Sequence, residues 1–298
     1  MSRLDQKGGI LMTSDKTVAK LIREFKLDVS TISPVPESFS STVHMLELAS
    51  GQKVILKIPY SKSKLHREKP ILESLQGKLP VPKLLNFWEG DEDITGALLL
   101  SYIDGEPIVG PVSEHLAYDM GRLLAEMHQI PMKDFELVEG VHLNWWDSVK
   151  TRFYEWYSEC EGHLDDNFLK RCASRFEEMF INLPPADGPA MIHFDYRPGN
   201  ILVKDKKIVG LIDFESSRGG SRDIDFTKVK VYMWDLYKGT KESFISGYTS
   251  IRALPDISNT LDFYLFFNGF GGLAWCIRRN KTDDEFFTEN YEQVCQYL

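Results

Sequence analysis

The chain has 298 residues, enough for one large domain or for two lobes with a substantial core. Its 43% hydrophobic and 27% charged residues are typical of an ordinary soluble globular protein. A formal net charge of −9 argues against nucleic acid as a partner, because binding to phosphates requires a basic surface. An acidic surface is compatible with a cationic small substrate, although acidity most often serves solubility alone.

No segment of the sequence indicates secretion or membrane insertion. The N-terminal stretch "MSRLDQKGGILMTSDK" lacks the apolar region of a secretory signal. The longest apolar run, "FYLFFNGFGGLAWCI", has 15 residues and contains Asn268, whereas a helix needs about 20 to span a bilayer. The four cysteines show no CxxC pairing. We therefore expect a cytoplasmic protein with reduced thiols, no membrane partner, and a buried core helix at the apolar run.

Strands are prominent in the first hundred residues. Helical spacing of apolar residues predicts a helix over residues 17–25. The stretch "TVHMLELASGQKVILKI" predicts a hairpin that turns at Ser50 and Gly51. The segment "KPILESLQGKLPVP" predicts a helix with Pro70 in its first turn, where proline is tolerated. The run "GALLLSYI" predicts a further strand.

Helices dominate beyond Gly105, with one strand pair inserted late. Segments such as "SEHLAYDMGRLLAEMHQI" and "DDNFLKRCASRFEEMF" carry apolar residues on one helical face. The sum is an α+β fold with a small β-rich N-terminal lobe and a larger, mainly helical C-terminal lobe. We place the lobes at residues 1–103 and 104–298.

The stretch "MIHFDYRPGNILVKDKKIVGLIDFESS" interrupts apolar strands with polar residues. We expect its second half to form a hairpin in which Val203 faces Ile208. Counting back along both strands places Asn200 opposite Leu211, with Asp213 further along the open end. Opposite residues of an antiparallel pair are ~5 Å apart, so Asn200 and Asp213 can converge on one ion. Their oxygens are hard ligands that suit Mg²⁺.

Two further polar residues precede this hairpin in a loop stiffened by proline and glycine. Asp195 lies five residues before Asn200 and could accept a proton from an attacking hydroxyl. Arg197 could place its guanidinium against the oxygens of a migrating phosphoryl group. A lone HxD or IDF motif is a weak signal. The ordered set at these spacings favours a catalytic interpretation.

The sequence resembles the aminoglycoside phosphotransferase family, which has the bilobal protein-kinase-like fold. "HFDYRPGN" resembles the kinase catalytic loop, and "IDFE" takes the place of the metal-binding D-F-G. The resemblance implies that Asp195 is the catalytic base and that Asn200 and Asp213 are magnesium ligands. Arg197 falls where protein kinases carry a lysine that contacts the transferred phosphate.

The likeness extends through the N-terminal lobe. "VILKI" is similar to the strand whose lysine holds the nucleotide phosphates, which implies that role for Lys57. In "REKPILESLQGKLPVPKLL" the family's glutamate pairs with that lysine, which implies Glu68, with Glu73 as the alternative. "LLLSYIDGEP" resembles the hinge, where backbone groups at Ser101 and Ile103 would hydrogen-bond the adenine.

Two departures qualify the resemblance, and one further element extends it. The family's glycine-rich loop is missing, and "PVPESFSSTVHML" offers serines instead, with Ser40 near the position that contacts phosphate. Phe194 replaces the glycine or arginine that usually stands between His and Asp. "SRDIDF" resembles the family's Asp-Ile element, which implies that Asp223 anchors the catalytic loop through backbone hydrogen bonds.

The resemblance implies a kinase that moves the γ-phosphate of ATP to a hydroxyl of a small molecule with the help of Mg²⁺; GTP stays open as the donor. Our first candidate acceptor is an aminoglycoside or related antibiotic, which would make the enzyme a resistance factor. The alternative is a metabolic kinase for choline, a sugar derivative or an amino-acid alcohol. A non-catalytic pseudokinase is less favoured, because the motif residues are intact. The sequence leaves the acceptor-binding residues and the oligomeric state undetermined.

Overall fold

The structure is a computed structural model that describes residues 16–35, 41–138, 140 and 143–298. The chain forms two compact units. The first unit comprises the chain up to Pro107 together with Asn200–Ser216, and the second unit comprises Ile108–Gly199 and Ser217–Leu298. The predicted lobes are continuous in sequence, whereas each unit here combines two separate segments.

Strands predominate before residue 108 and helices after it. The first part contains α1 (residues 16–24), β1 (Val29–Pro34), β2 (Ser41–Leu48), β3 (Lys53–Pro59), α2 (Lys62–Leu75), β4 (Leu84–Trp88), β5 (Ala97–Ser101) and β6 (Glu106–Pro107). The remainder contains α3 (Glu114–His128), α4 (Trp145–Cys160), α5 (Asp166–Phe180), β7 (Ala190–Ile192), β8 (Ile201–Lys204), β9 (Lys207–Leu211), β10 (Arg218–Gly220), α6 (Phe226–Val229), a π-helical segment (Lys230–Trp234), α7 (Thr240–Thr249), α8 (Ile257–Arg278) and α9 (Glu285–Cys295). This order confirms the predicted α+β fold class.

The first unit is built on a five-stranded antiparallel sheet in the order β1-β2-β3-β5-β4. The predicted hairpin is β2–β3, and Gly51 supplies the left-handed backbone of its turn with φ 81°. Inward-facing residues of the sheet such as Leu46 and Leu56 pack with Val18 and Leu21 of α1. This apolar layer packs against the sheet. Lys57, a polar residue of β3, faces α2 instead.

Helix α2 begins earlier than predicted. The side chain of Ser61 accepts a hydrogen bond from the Lys64 N–H and caps the helix. Pro70 therefore lies inside the helix, and the prediction that it stands in the first turn is wrong. Pro70 has no N–H to donate to the carbonyl group of His66, four residues earlier. His66 is exposed, so its carbonyl group can bond to water.

The hairpin β8–β9 differs from its predicted register by one residue. Val203 faces Ile208 as expected, and Asp205 and Lys206 form a tight turn with left-handed φ values of 51° and 62°. An irregularity next to Val203 shifts the pairing beyond it, so Leu211 faces Ile201. The predicted pairing of Leu211 with the preceding residue, Asn200, is therefore wrong, because a bulge inserts one extra residue into one strand.

The core of the second unit is rich in aromatic side chains. Phe153 of α4 stacks on Phe176 of α5 with ring centroids 3.9 Å apart. The ring centroid of Phe270 of α8 lies 4.7 Å from that of Phe153. All three side chains are fully buried. Helix α8 carries the apolar run of the sequence and is the core helix that we expected. Among the described residues, no helix has both the length and the apolar character required to cross a bilayer.

We expect Phe153→Ala to lower the free energy of unfolding by about 3–5 kcal/mol, because it removes a buried ring and leaves a cavity. Urea denaturation measures the change. Val109→Ala is the control, because Val109 is 87% exposed and its loss should stay within about 0.5 kcal/mol. Equal losses in the two variants would contradict the assignment of Phe153 to the core.

Candidate active site

Lys57 is the central residue of a buried ionic cluster in the first unit. The residue is 5% exposed, and its Nζ lies 2.8 Å from Glu68 Oε1, 2.8 Å from Asp213 Oδ1 and 3.6 Å from Glu215 Oε2. Burial alone would lower the pKa of Lys57. The three carboxylates, with Asp213 the strongest, outweigh burial and raise this pKa, so the side chain stays charged.

Glu68 of α2, rather than Glu73, is the helix residue that meets Lys57. The Glu68 side chain is fully buried, and burial raises its pKa against the opposing attraction of Lys57. Glu73 is exposed and pairs with Lys69 at 3.5 Å, one helical turn away. The register of α2 thus places Glu68 against β3 and Glu73 in the solvent.

Glu215 is a member of this cluster that sequence reasoning missed. Its carboxylate is almost fully buried, and it accepts hydrogen bonds from Ser41 Oγ at the start of β2 and from Lys64 Nζ of α2, the latter at 2.5 Å. Arg67 donates to the Glu215 carbonyl oxygen at 3.3 Å. The available signal was the glutamate of "IDFE", which stands where a D-F-G motif has glycine. Glu215 thus ties β2 and α2 to the end of the β8–β9 hairpin.

The two predicted magnesium ligands lie at neighbouring strand ends of the first unit. The Ile212 N–H donates to the Asn200 carbonyl oxygen at 3.0 Å, which brings Asn200 beside the residue that precedes Asp213. Asp213 has a left-handed backbone with φ 69°, an uncommon conformation for a residue other than glycine. Its side chain is 34% exposed, so its carboxylate remains accessible to an ion. An amide oxygen and a carboxylate fit the hard-ligand preference of Mg²⁺.

The predicted hinge residues lie at the end of β5 and just after it. The Ser101 N–H donates to the Lys83 carbonyl oxygen at 2.8 Å, so this amide is already used within the protein. Within the described part of the chain, no hydrogen bond is made by the Ile103 N–H, whereas the Ile103 carbonyl accepts from Gly105. Ile103 thus offers a donor to a ligand. Ser40 lies outside the described residues.

In the second unit, Asp225 holds the loop that contains Asp195. Its carboxylate accepts the His193 N–H at 2.8 Å and the Phe194 N–H at 2.6 Å. Phe194 has φ 67°, a strained conformation for an aromatic residue, and these hydrogen bonds stabilise it. The expectation that Asp223 performs this task is wrong. Asp223 instead accepts a hydrogen bond from the Tyr264 hydroxyl at 3.3 Å.

A buried histidine supports Asp225 in turn. His128 is fully buried, with Nε2 3.1 Å from Asp225 Oδ2 and Nδ1 2.9 Å from the Tyr248 hydroxyl. Burial lowers the pKa of His128, and its attraction to Asp225 opposes the shift without reversing it. A neutral ring donates from Nε2 to the carboxylate and accepts the tyrosine proton at Nδ1.

The remaining loop residues fix the position of Asp195. Tyr196 is fully buried and donates its hydroxyl to the Met120 carbonyl oxygen of α3 at 2.7 Å. Arg197 Nε donates to Asp195 Oδ2 at 3.2 Å, and its guanidinium lies 5.8 Å from the ring centre of Tyr232. Asp195 and Arg197, both predicted site residues, therefore lie side by side and partly exposed.

Comparison with known proteins gives a family match over most of the chain. Residues 31–254 match the model of the phosphotransferase enzyme family. A sequence search of curated proteins found no match.

Solved structures match most of the chain. The macrolide 2'-phosphotransferase MphH from Brachybacterium faecium has a TM-score of 0.66 and 15% identity, covering 94% of this chain and 97% of its own. APH(2")-IIIa in complex with GDP and kanamycin has a TM-score of 0.70 and 14% identity, with 95% and 98% covered. APH(2")-IIa in complex with gentamicin has a TM-score of 0.70 and 17% identity, with 94% and 95% covered. At these identities the likeness shows the fold alone.

We expect Glu215→Gln to lower the free energy of unfolding by about 1–3 kcal/mol, because Lys64 loses a buried ionic partner. Urea denaturation measures the loss. Asp104→Asn is the matched control, since it removes the exposed ion pair with Lys204 and should cost much less stability. A loss at Glu215 no greater than that of the control would show that the cluster does not stabilise the first unit.

The lowered pKa of His128 makes stability depend on pH. Its folded-state pKa lies below the ordinary value of 6.5, so His128 binds a proton more weakly in the native protein than in the unfolded chain. The contribution of His128 to the free energy of unfolding is fully present above about pH 6.5. It declines as the pH falls from there toward the folded-state pKa. We expect the urea midpoint to fall on acidification from about pH 7 to about pH 5, and to fall less in His128→Asn. An unchanged slope in His128→Asn would refute this account.

Proposed function

The chain belongs to the phosphotransferase enzyme family, and on that premise we propose that it transfers the γ-phosphate of ATP to a hydroxyl group of a small molecule. That it is a kinase with an alcohol acceptor follows from the family. The observation that carries the assignment of the donor is the buried Lys57, held by Glu68 and adjacent to Asp213. A charged lysine kept in a water-poor cluster is a preformed partner for phosphate oxygens.

In this proposal the first unit holds the nucleotide. Lys57 binds its phosphates, Glu68 orients Lys57, and Ser40 contributes a hydroxyl. The Ile103 N–H and the carbonyl group of Ser101 bind the base, and this backbone recognition leaves GTP as an alternative to ATP. Asn200 and Asp213 would hold Mg²⁺, which would offset the negative charge of the phosphates.

Asp195 serves as the general base in the second unit. Its carboxylate accepts the proton of the acceptor hydroxyl as the hydroxyl oxygen bonds to the γ-phosphorus. The bond between that phosphorus and the bridging oxygen breaks, and ADP leaves. Arg197, bonded to Asp195 at 3.2 Å, orients the carboxylate and offers its remaining N–H groups to the migrating phosphoryl oxygens. The hydrogen bonds of Asp225 and Tyr196 hold the loop in this arrangement, so little reorganisation precedes the reaction.

Two acceptor classes follow from the family. Aminoglycosides and related antibiotics are supported by the similar structures with kanamycin and gentamicin. A metabolic acceptor, such as a sugar derivative or an amino-acid alcohol, is favoured by a different observation. Lys228 lines a cleft of the second unit, and its ammonium repels a polycationic acceptor.

Growth protection and turnover separate these classes. Expression in a sensitive bacterium should raise resistance to kanamycin or gentamicin if an antibiotic is the acceptor, and purified enzyme should release ADP with that antibiotic. An absence of both protection and turnover, with ADP release in the presence of a metabolite, assigns the metabolic function.

We expect Asp195→Asn to lower kcat by about 10²–10⁴-fold, because an amide cannot accept the proton. Acceptor-dependent ADP release measures the rate, and a thermal shift with Mg-ATP should stay at the wild-type value. Asp166→Asn, at an exposed aspartate of α5, is the matched control and should retain full activity. An Asp195→Asn rate within about tenfold of wild type would exclude Asp195 as the base.

A further inference from the structure

A cleft of about 410 Å³ opens in the second unit between the π-helical segment, α8 and α9. This volume lies in the lower part of the ~300–1,000 Å³ range of small-molecule sites. We call it the helical cleft and define it by Lys228, Tyr232, Asn268, Phe286 and Gln293, which lie on its wall. None of these residues belongs to the recognised motifs.

Arg197 links the helical cleft to the proposed base. Arg197, which bonds to Asp195, places its guanidinium 5.8 Å from the ring centre of Tyr232. Lys228 Nζ lies 5.5 Å from the same ring centre. A molecule in the helical cleft that touches Tyr232 is therefore only one residue removed from Arg197. This proximity is required of an acceptor site.

Lys228 is the cation of the cleft whose charge is not offset by a protein carboxylate. Its ammonium lies between two aromatic rings, 5.5 Å from Tyr232 and 5.8 Å from Phe286. Within the described residues, Lys228 forms no ion pair or hydrogen bond. Lys230, in contrast, is bound by both carboxylate oxygens of Asp235, at 2.6 and 2.7 Å. The rings position the Lys228 ammonium, and its three N–H donors are available to a ligand.

Amide side chains supply the rest of the polar wall. Asn268 Nδ2 donates to Thr227 Oγ1 at 2.9 Å, and Gln293 Nε2 donates to the Leu265 carbonyl oxygen at 2.5 Å. Each amide is thus held by its nitrogen. No donor among the described residues bonds to either side-chain carbonyl oxygen, and such oxygens suit the hydroxyl groups of a polyol.

We propose that the helical cleft binds the phosphate acceptor and that the acceptor is a hydroxylated small molecule with an anionic group, a carboxylate or a phosphate, which pairs with Lys228. The inference rests on the proposed kinase function and names its acceptor class. An ammonium at the same position would be repelled by Lys228. The cleft carboxylates Glu289 and Glu292 are exposed on α9, where water and salt weaken their attraction for a polycation.

Acceptors grouped by charge test the proposal. Wild-type enzyme with Mg-ATP is assayed for ADP release with sugar acids and sugar phosphates, with neutral sugars, and with amino sugars including kanamycin. Glucuronate, glucose and glucosamine form a matched series that differs mainly in charge. We expect the anionic compounds to be the best acceptors.

Variants at Lys228 identify the contact. Lys228→Gln should raise KM for the best anionic acceptor by about 10-fold to 100-fold, the effect of one charge-assisted hydrogen bond, with kcat and the KM for ATP unchanged. Lys228→Arg should restore most of the affinity and shows that the fold tolerates substitution. Lys238→Gln, at an exposed lysine outside the cleft, should behave as wild type.

The outcomes separate the two proposals. Turnover confined to neutral or cationic compounds, or a KM for the anionic acceptor that stays within about twofold in Lys228→Gln, overturns the acceptor class and leaves the kinase function intact. Failure of every compound, together with no thermal shift by Mg-ATP, overturns the kinase function as well.

Discussion

A buried ammonium requires compensating negative charge, and this requirement organises the first unit. Lys57 meets Glu68 from α2 and Asp213 and Glu215 from the segment after β9. These carboxylates come from two parts of the chain that are more than a hundred residues apart. Because an unpaired buried charge is far more costly than a paired one, the cluster explains why Asn200–Ser216 belongs to the first unit.

In the second unit, hydrogen bonds to a buried carboxylate stabilise the loop that contains Asp195. Its loop around Asp195 contains a strained Phe194, and the carboxylate of Asp225 binds the N–H groups that this conformation exposes. His128 then bonds to Asp225, and Tyr248 bonds to His128. A buried polar chain of this kind is stable only when every member finds a partner, so it also fixes the loop in one conformation.

The helical cleft carries the side chains from which we infer the acceptor class. The Tyr232 ring lies beside both Arg197 and Lys228. Arg197 in turn hydrogen-bonds Asp195, so the proposed acceptor site is linked to the proposed base through Arg197. A fold shared with macrolide and aminoglycoside phosphotransferases does not determine the acceptor, because the acceptor is selected by the side chains of such a cleft. The charge at Lys228 is therefore more informative about the acceptor than the likeness of the fold.

The sequence by itself determined the fold class, the β2–β3 and β8–β9 hairpins and the order of the catalytic motifs. Turn residues and apolar periodicity are local properties, and the motif residues lie at short, recognisable spacings. The roles of the motif residues in catalysis still rest on the family and on the proposed experiments.

Tertiary structure alone decided the partner of Lys57 on α2, the choice of Asp225 over Asp223, the participation of Glu215, and the walls of the helical cleft. Each depends on which face a residue presents to a segment far away in the chain. A bulge of one residue or an earlier helix cap changes that face, and neither can be inferred from local pattern, because the energy that selects them comes from packing and from the burial of charge.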